Sequence, residues 1–300
     1  MTKTTNECEV NQQALPPIFL GLPVWQDPSW PVHWFQSSST RQQQLRTYAN
    51  KLNSVEGNTT FYSLPHADAV ARWAGETGDG FSFTFKFHQH ISHSEALDAQ
   101  LPAAVEQLTL LSALGNKLGS IMLQLPASFS PARLPSLSAF LEGLPKTYRV
   151  AVEVRHPAFF QKGEAEQRLN RLLMEHQADR IIMDTRALFT GPSTSALVAD
   201  VRTKKPRVPV NVIATGRAPI VRFVGNDNEQ DNLRCLIPWF SKVHQWREEG
   251  RTPYVFLHRP DNKDAPWLAQ LFITHYNQRY PEFALPDIGL AAQPSQDALF

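Results

Sequence analysis

Eight short runs rich in Val, Ile and Phe recur along this 300-residue chain, separated by longer segments of helical period. The runs are 18–25 (IFLGLPVW), 54–62 (SVEGNTTFY), 81–88 (FSFTFKFH), 120–126 (SIMLQLP), 149–157 (RVAVEVRHP), 180–186 (RIIMDTR), 218–226 (APIVRFVGN) and 252–260 (TPYVFLHRP). Their starts lie 27 to 39 residues apart, the length of a strand, a helix and two connections. Eight such units predict an α/β fold, a single (β/α)8 TIM-like barrel. An open doubly wound sheet is the alternative. Its usual mark, a Gly-rich phosphate turn after the first strand, is replaced here by Pro23-Val24-Trp25, and the chain has no GxGxxG and no P-loop.

The spacing predicts a helix over 40–53, capped by Ser39 or Thr40, with Leu45, Tyr48, Ala49 and Leu52 on one face. A second fills 229–250, where Pro238 predicts a kink or a break. The barrel is expected over 17–285, with disordered tails at 1–16 and 286–300.

Composition narrows the function classes. Apolar residues make up 42% and charged residues 19%, enough for a large core and too little charge for a disordered chain. With 29 basic and 28 acidic residues the net charge is +1, which disfavours a nucleic-acid or membrane binder. Cys8 and Cys235 make neither a disulfide framework nor a four-cysteine zinc site. The start lacks the apolar core of a signal peptide, and no run is long enough to span a membrane. A cytoplasmic protein is expected.

In a barrel the chemistry gathers at the C-terminal ends of the strands, and strand side chains alternate between interior and exterior. Parity places Glu56, Asn58 and Thr60 on one face of the second run. In the third, Phe81, Phe83, Phe85 and Phe87 occupy the helix-packed face and force Lys86 and His88 inward. The fourth run ends in Gln124, the fifth presents Glu153 and Arg155, the sixth Asp184 and the seventh Arg222. The eighth offers His258 or Arg259, and parity does not choose between them. Charge inside a barrel is costly unless paired, so such a set marks either a functional site or internal ion pairs such as Glu56–Lys86 and Glu153–Arg222. Two arginines at the mouth suit a carboxylate or a phosphate.

The histidines His88, His90 and His93 form an H-x-H-x-x-H cluster, which reads as a metal site or as a loop of hydrogen-bonded histidines. No metal or cofactor is expected. Trp25, Trp30 and Trp34 are expected to fold a loop onto the rim, and the long segment 187–217 is a candidate lid.

Several motifs together resemble the YecE-type family, also called domain of unknown function seventy-two. They are E-x-N-x-T-F-Y (Glu56 to Tyr62), Lys86 with Ser92-His93, Leu123-Gln124-Leu125-Pro126 and Glu153-x-Arg155-His156. The resemblance runs from about Phe19 to about Leu271 and implies a TIM-barrel-like fold, with no established activity. Many members end the eighth strand in two asparagines, where this chain has His258-Arg259.

Three functions compete. The first is an enzyme acting on a small anionic metabolite, with Glu56 or Glu153 as general base and Lys86 as an acid, an electrostatic stabiliser or a Schiff-base amine. Asn58, Thr60, His88, His93, Gln124, Arg155, Asp184, Arg222 and His258 would bind the substrate. The second is a metal-dependent phosphodiesterase or DNA-repair nuclease using His88, His93, Glu153, Asp184 and His258. The third is a non-catalytic ligand-binding barrel. A retaining glycosidase is disfavoured, because strands four and seven offer Gln124 and Arg222 where it needs carboxylates. The terminal Gln296, Leu299 and Phe300 resemble a sliding-clamp docking peptide.

Overall fold

The computed structural model describes residues 14–30, 41–193 and 195–290. Eight strands form it: β1 (Phe19–Leu22), β2 (Ser54–Gly57), β3 (Ser82–Lys86), β4 (Leu118–Gln124), β5 (Arg149–Glu153), β6 (Asp179–Asp184), β7 (Ile220–Val224) and β8 (Tyr254–His258). Each pairs in parallel with its sequence neighbours, and β1 closes on β8. The expected barrel is therefore present. β4 and β6 start slightly earlier than their apolar runs, and several runs overreach into the loops.

The helices are α1 (Arg41–Ala49), α2 (Ala67–Glu76), α3 (Gln89–Ser92), α4 (Leu101–Leu111), α5 (Leu134–Gly143), α6 (Glu164–Glu175), α7 (Ala196–Lys204), α8 (Glu229–Glu248) and α9 (Ala265–Arg279). Pro238 does not divide α8, which continues through it; the missing N–H costs one bond in a helix whose Leu236, Trp239 and Phe240 are buried. Tyr48 on α1 is fully buried, and its hydroxyl accepts from Leu22 N and donates to Ser54 O, tying two strands to that helix.

Strand parity separates the two main apolar clusters, and Leu188, Val198 and Val224 form a small third one. The larger lies between strands and helices and includes Phe83, Phe85 and Phe87, where Trp73 of α2 stacks on Phe85 and Phe140 of α5 meets Phe87. Each such aromatic contributes roughly 1.5–3 kcal/mol by burial. The smaller fills the barrel and includes Met122, Ala151, Ile181, Ile220 and Phe256. Gly21 makes room where β1 meets β2: a Cβ there would lie 2.4 Å from Ser54 O.

The interior plug sets the height of everything above it. Two residues on, the next inward position after Met122 is Gln124, after Ala151 Glu153, after Ile220 Arg222 and after Phe256 His258. A polar layer thus caps an apolar one at the C-terminal end.

Within the segment expected to be a C-terminal tail, Ile288 and Leu290 are buried against the core. At the other end, Pro16 O accepts a hydrogen bond from Arg247 Nε. The remainder of the N-terminal tail, Trp34, the caps Ser39 and Thr40, and the clamp-like Gln296, Leu299 and Phe300 lie outside the described residues. No helix among the described residues is long and apolar enough to cross a membrane.

Candidate active site at the C-terminal mouth of the barrel

Arg222 is the centre of the polar layer. Its Nε and Nη2 donate to the two oxygens of Glu56 at 2.8 and 2.7 Å, and its Nη1 donates to Glu153 Oε2. All three side chains are at most 2% exposed. Arg155, 22% exposed, donates from Nε to the other Glu153 oxygen at 2.8 Å. His258 Nε2 lies 3.0 Å from Glu56 Oε2, so the structure selects His258 as the inward residue of β8. Arg259 turns toward Asp227 and Asp264 instead.

Lys86 Nζ donates to Gln124 Oε1 at 2.8 Å, while its nearest carboxylate, Glu56, is 4.0 Å away. The Phe61 ring lies below it, 5.6 Å from centroid to Nζ. Arg222 holds both carboxylates closely, so the lysine has no tight counterion.

These contacts set the ionisation of the layer. Burial pushes Glu56 and Glu153 up, but Arg222, with further cations, reverses this and holds both well below the usual carboxylate range, Glu153 at about 2. His258 is lowered to about 4 by burial, which outweighs the pull of Glu56. It is therefore neutral near pH 7 and donates its Nε2 proton to ionised Glu56. Burial, then the Arg222 charge, lower Lys86 to about 7.

The remaining predicted residues take other places. Thr60 is buried, donates to Lys86 O at 2.7 Å and accepts from Lys86 N, while Asn58 donates to Pro23 O and Glu56 O. Both brace strand ends through backbone rather than entering the cluster. His88 Nε2 contacts Tyr62 O, and His93 Nδ1 pairs with Ser92 Oγ. His93 is an exposed rim residue, its pKa lowered by partial burial and by Arg155 and Lys86.

Asp184 corrects the parity reading. Met183 faces the interior opposite Arg222, and Asp184 turns to the helices, where Trp239 Nε1 donates to its Oδ2 at 2.7 Å and Arg186 grips it. The ligands proposed for a metal are consequently apart, and no three His, Cys, Asp or Glu side chains converge as a metal site among the described residues. Trp30 packs on Tyr48 and donates to Asn262 O, and Trp25 meets Trp73, as loop packing on the rim requires.

Two contributors escape sequence reasoning. Gln107 of α4 is fully buried; it donates to Lys86 O at 2.8 Å and accepts from His88 N at 3.0 Å, fixing the end of β3. Its signal in the sequence is its helical spacing with Ala104, Leu108 and Leu111. Lys205, just past α7, is held at the mouth because Thr185, next after β6, donates to the neighbouring Pro206 O at 3.0 Å. The Lys205 ammonium has no hydrogen-bond or ion-pair partner among the described residues. Burial, then Arg222, lower it to about 8, and it senses Glu56, Glu153 and Arg155. The segment 187–217, read as a candidate lid, thus carries a cation to the site. Among the described residues, Lys86, Arg155, Lys205 and Arg222 gather around the carboxylates Glu56 and Glu153.

Known proteins are similar to this chain in sequence and in fold. The chain is 41% identical over 284 residues to the UPF0759 protein YecE of Escherichia coli (strain K12), covering 94% of this chain and 100% of that one. Its fold is similar to a DUF72 family protein from Enterococcus faecalis V583, with a TM-score of 0.63 at 19% identity, covering 88% of this chain and 98% of that one. A DUF72 family protein from Thermotoga maritima MSB8 gives a TM-score of 0.63 at 19% identity over 86% of this chain and 98% of that one. The family profile described as protein of unknown function DUF72 matches residues 19–294, and the chain belongs to this family.

Proposed function

We propose that the mouth of the barrel is the active site of an enzyme acting on a small anionic metabolite that bears a phosphate or a carboxylate. The observation that carries this reading is the excess of cations over carboxylates in the polar layer among the described residues, where Arg155 shares Glu153 with Arg222 and the Lys205 ammonium has no ion-pair partner. Arg155 and Lys205 hold the anion. Arg222, first read as half of the anion clamp, is instead committed to Glu56 and Glu153 and serves as an internal frame. The general-base role expected of Glu56 or Glu153 passes to Lys86, since carboxylates locked on Arg222 are weak bases and Lys86 exchanges its proton near neutral pH. His258 and Gln124 hold the orientation of Glu56 and Lys86.

Calorimetric titration with inorganic phosphate and with acetate tests this. Saturable binding is expected, weakened at least tenfold in Arg155→Gln and in Lys205→Gln, since a charged hydrogen bond is worth about 1.5–3 kcal/mol. Absence of saturable binding by either anion, or binding unchanged in both variants, overturns the reading.

A further inference from the structure

We infer that Lys86 is a Schiff-base nucleophile, and that the anionic substrate of this site also carries an aldehyde or ketone. The inference rests on the reading of the mouth as an anion site and adds the reacting group.

Geometry carries the argument. A lysine amine attacks carbonyls only as the neutral form, which a barrel interior favours when the amine is desolvated and set beside another cation without a close counterion. Lys86 meets each condition. Its side chain is 9% exposed, on the inward face of β3, with the Phe61 ring against it. The nearest carboxylate among the described residues, Glu56, is 4.0 Å away and is held closely on both oxygens by Arg222. Gln124 Oε1, at 2.8 Å, is a neutral acceptor that orients the nitrogen without stabilising its charge. An internal structural lysine would be paired tightly with one of the two glutamates; here an arginine has taken both. The lowered proton affinity of Lys86 agrees with this arrangement. Arg155 and Lys205 stand at the mouth to hold the anionic end of the same molecule.

The step balances without a cofactor. The Nζ lone pair forms a bond to the carbonyl carbon while the carbonyl π pair moves to oxygen. Nitrogen gives up its protons and oxygen takes up two, so oxygen leaves as water and the nitrogen pair completes the C=N bond.

The test uses the full chain with glyoxylate, a small carboxylate that is also an aldehyde, and sodium cyanoborohydride, whose hydride reduces the imine to a stable carboxymethyl-lysine. Peptide mass spectrometry then locates the label. Lys86 is expected to react at least about tenfold faster than the exposed Lys162 and Lys263 near pH 7, because burial beside Arg222 favours its neutral amine. Inorganic phosphate is expected to slow Lys86 alone. Label spread over exposed lysines with Lys86 unmodified, or label on Lys205 with Lys86 unmodified, overturns the inference. Lys86→Arg is expected to remove the selective label; if that variant does not fold, the wild-type map decides. Phosphate binding measured without aldehyde separates the two readings: binding without trapping at Lys86 removes only the Schiff base, whereas absence of both removes the anion site as well.

Discussion

Both oxygens of Glu56 are gripped by Arg222 inside the barrel, at 2.7 and 2.8 Å, although the two residues stand 166 positions apart in sequence. The same guanidinium holds Glu153, so one cation bridges two buried carboxylates, and Arg155 shares the second. Arg222→Met would leave Glu56 without its bidentate partner and Glu153 with Arg155 alone. The expected loss is about 3–5 kcal/mol of folding stability, the cost of breaking a buried pair from one side, read from urea unfolding near neutral pH.

Acid should weaken the fold in two overlapping stages. His258 titrates at about 4 in the folded protein and near 6.5 unfolded; Glu153 titrates at about 2 folded and near 4.3 unfolded. In each interval the unfolded chain binds more protons, so stability rises with pH there and is lost on acidification. Urea midpoints are expected to fall from about pH 6.5 downward and more steeply below about pH 4.5. The upper part should flatten in His258→Asn and the lower part in Glu153→Gln.

Lys86 should cost stability at neutral pH. Its folded value of about 7 lies below the ordinary 10.5, so between these values the unfolded chain binds more protons and stability increases with pH. Lys205 acts in the same direction from about 8. Lys86→Met is expected to be more stable than wild type near pH 6, with the difference shrinking as pH approaches about 10. A destabilised Lys86→Met at low pH would mean that the lysine is a structural counterion.

Asp184 should behave as a structural residue. It accepts from Trp239 Nε1 at 2.7 Å and pairs with Arg186 outside the barrel interior. Asp184→Ala is expected to lower stability by about 1–3 kcal/mol, since it leaves a buried indole N–H unpaired. Phosphate affinity per folded molecule should stay at the wild-type value in calorimetry.

The contrast between Lys86 and Asp184 explains how far the site was legible. In FSFTFKFH four phenylalanines mark one face, so the alternation anchors itself and Lys86 must point inward. In RIIMDTR the apolar run Ile181-Ile182-Met183 has no polar partner to mark the faces, and a shift of one residue moves Asp184 to the other side. The eighth run, with Val255, Phe256 and Leu257 all buried, leaves His258 and Arg259 undecided for the same reason. Lys205 follows a helix in a long connection, where no periodicity specifies direction.

The sequence alone determined the barrel, through eight apolar runs at βα spacing, and placed Glu56, Lys86, Gln124, Glu153 and Arg222 on inward faces at the strand ends. Both are consequences of local periodicity, which decides which face of a strand a side chain occupies. Only the tertiary structure decided that Arg222 binds the two glutamates, that Lys86 is left without a close counterion, and that Lys205 joins them. Pairing depends on distances across a closed sheet, between residues from different strands. Alternation within one strand carries no information about that geometry.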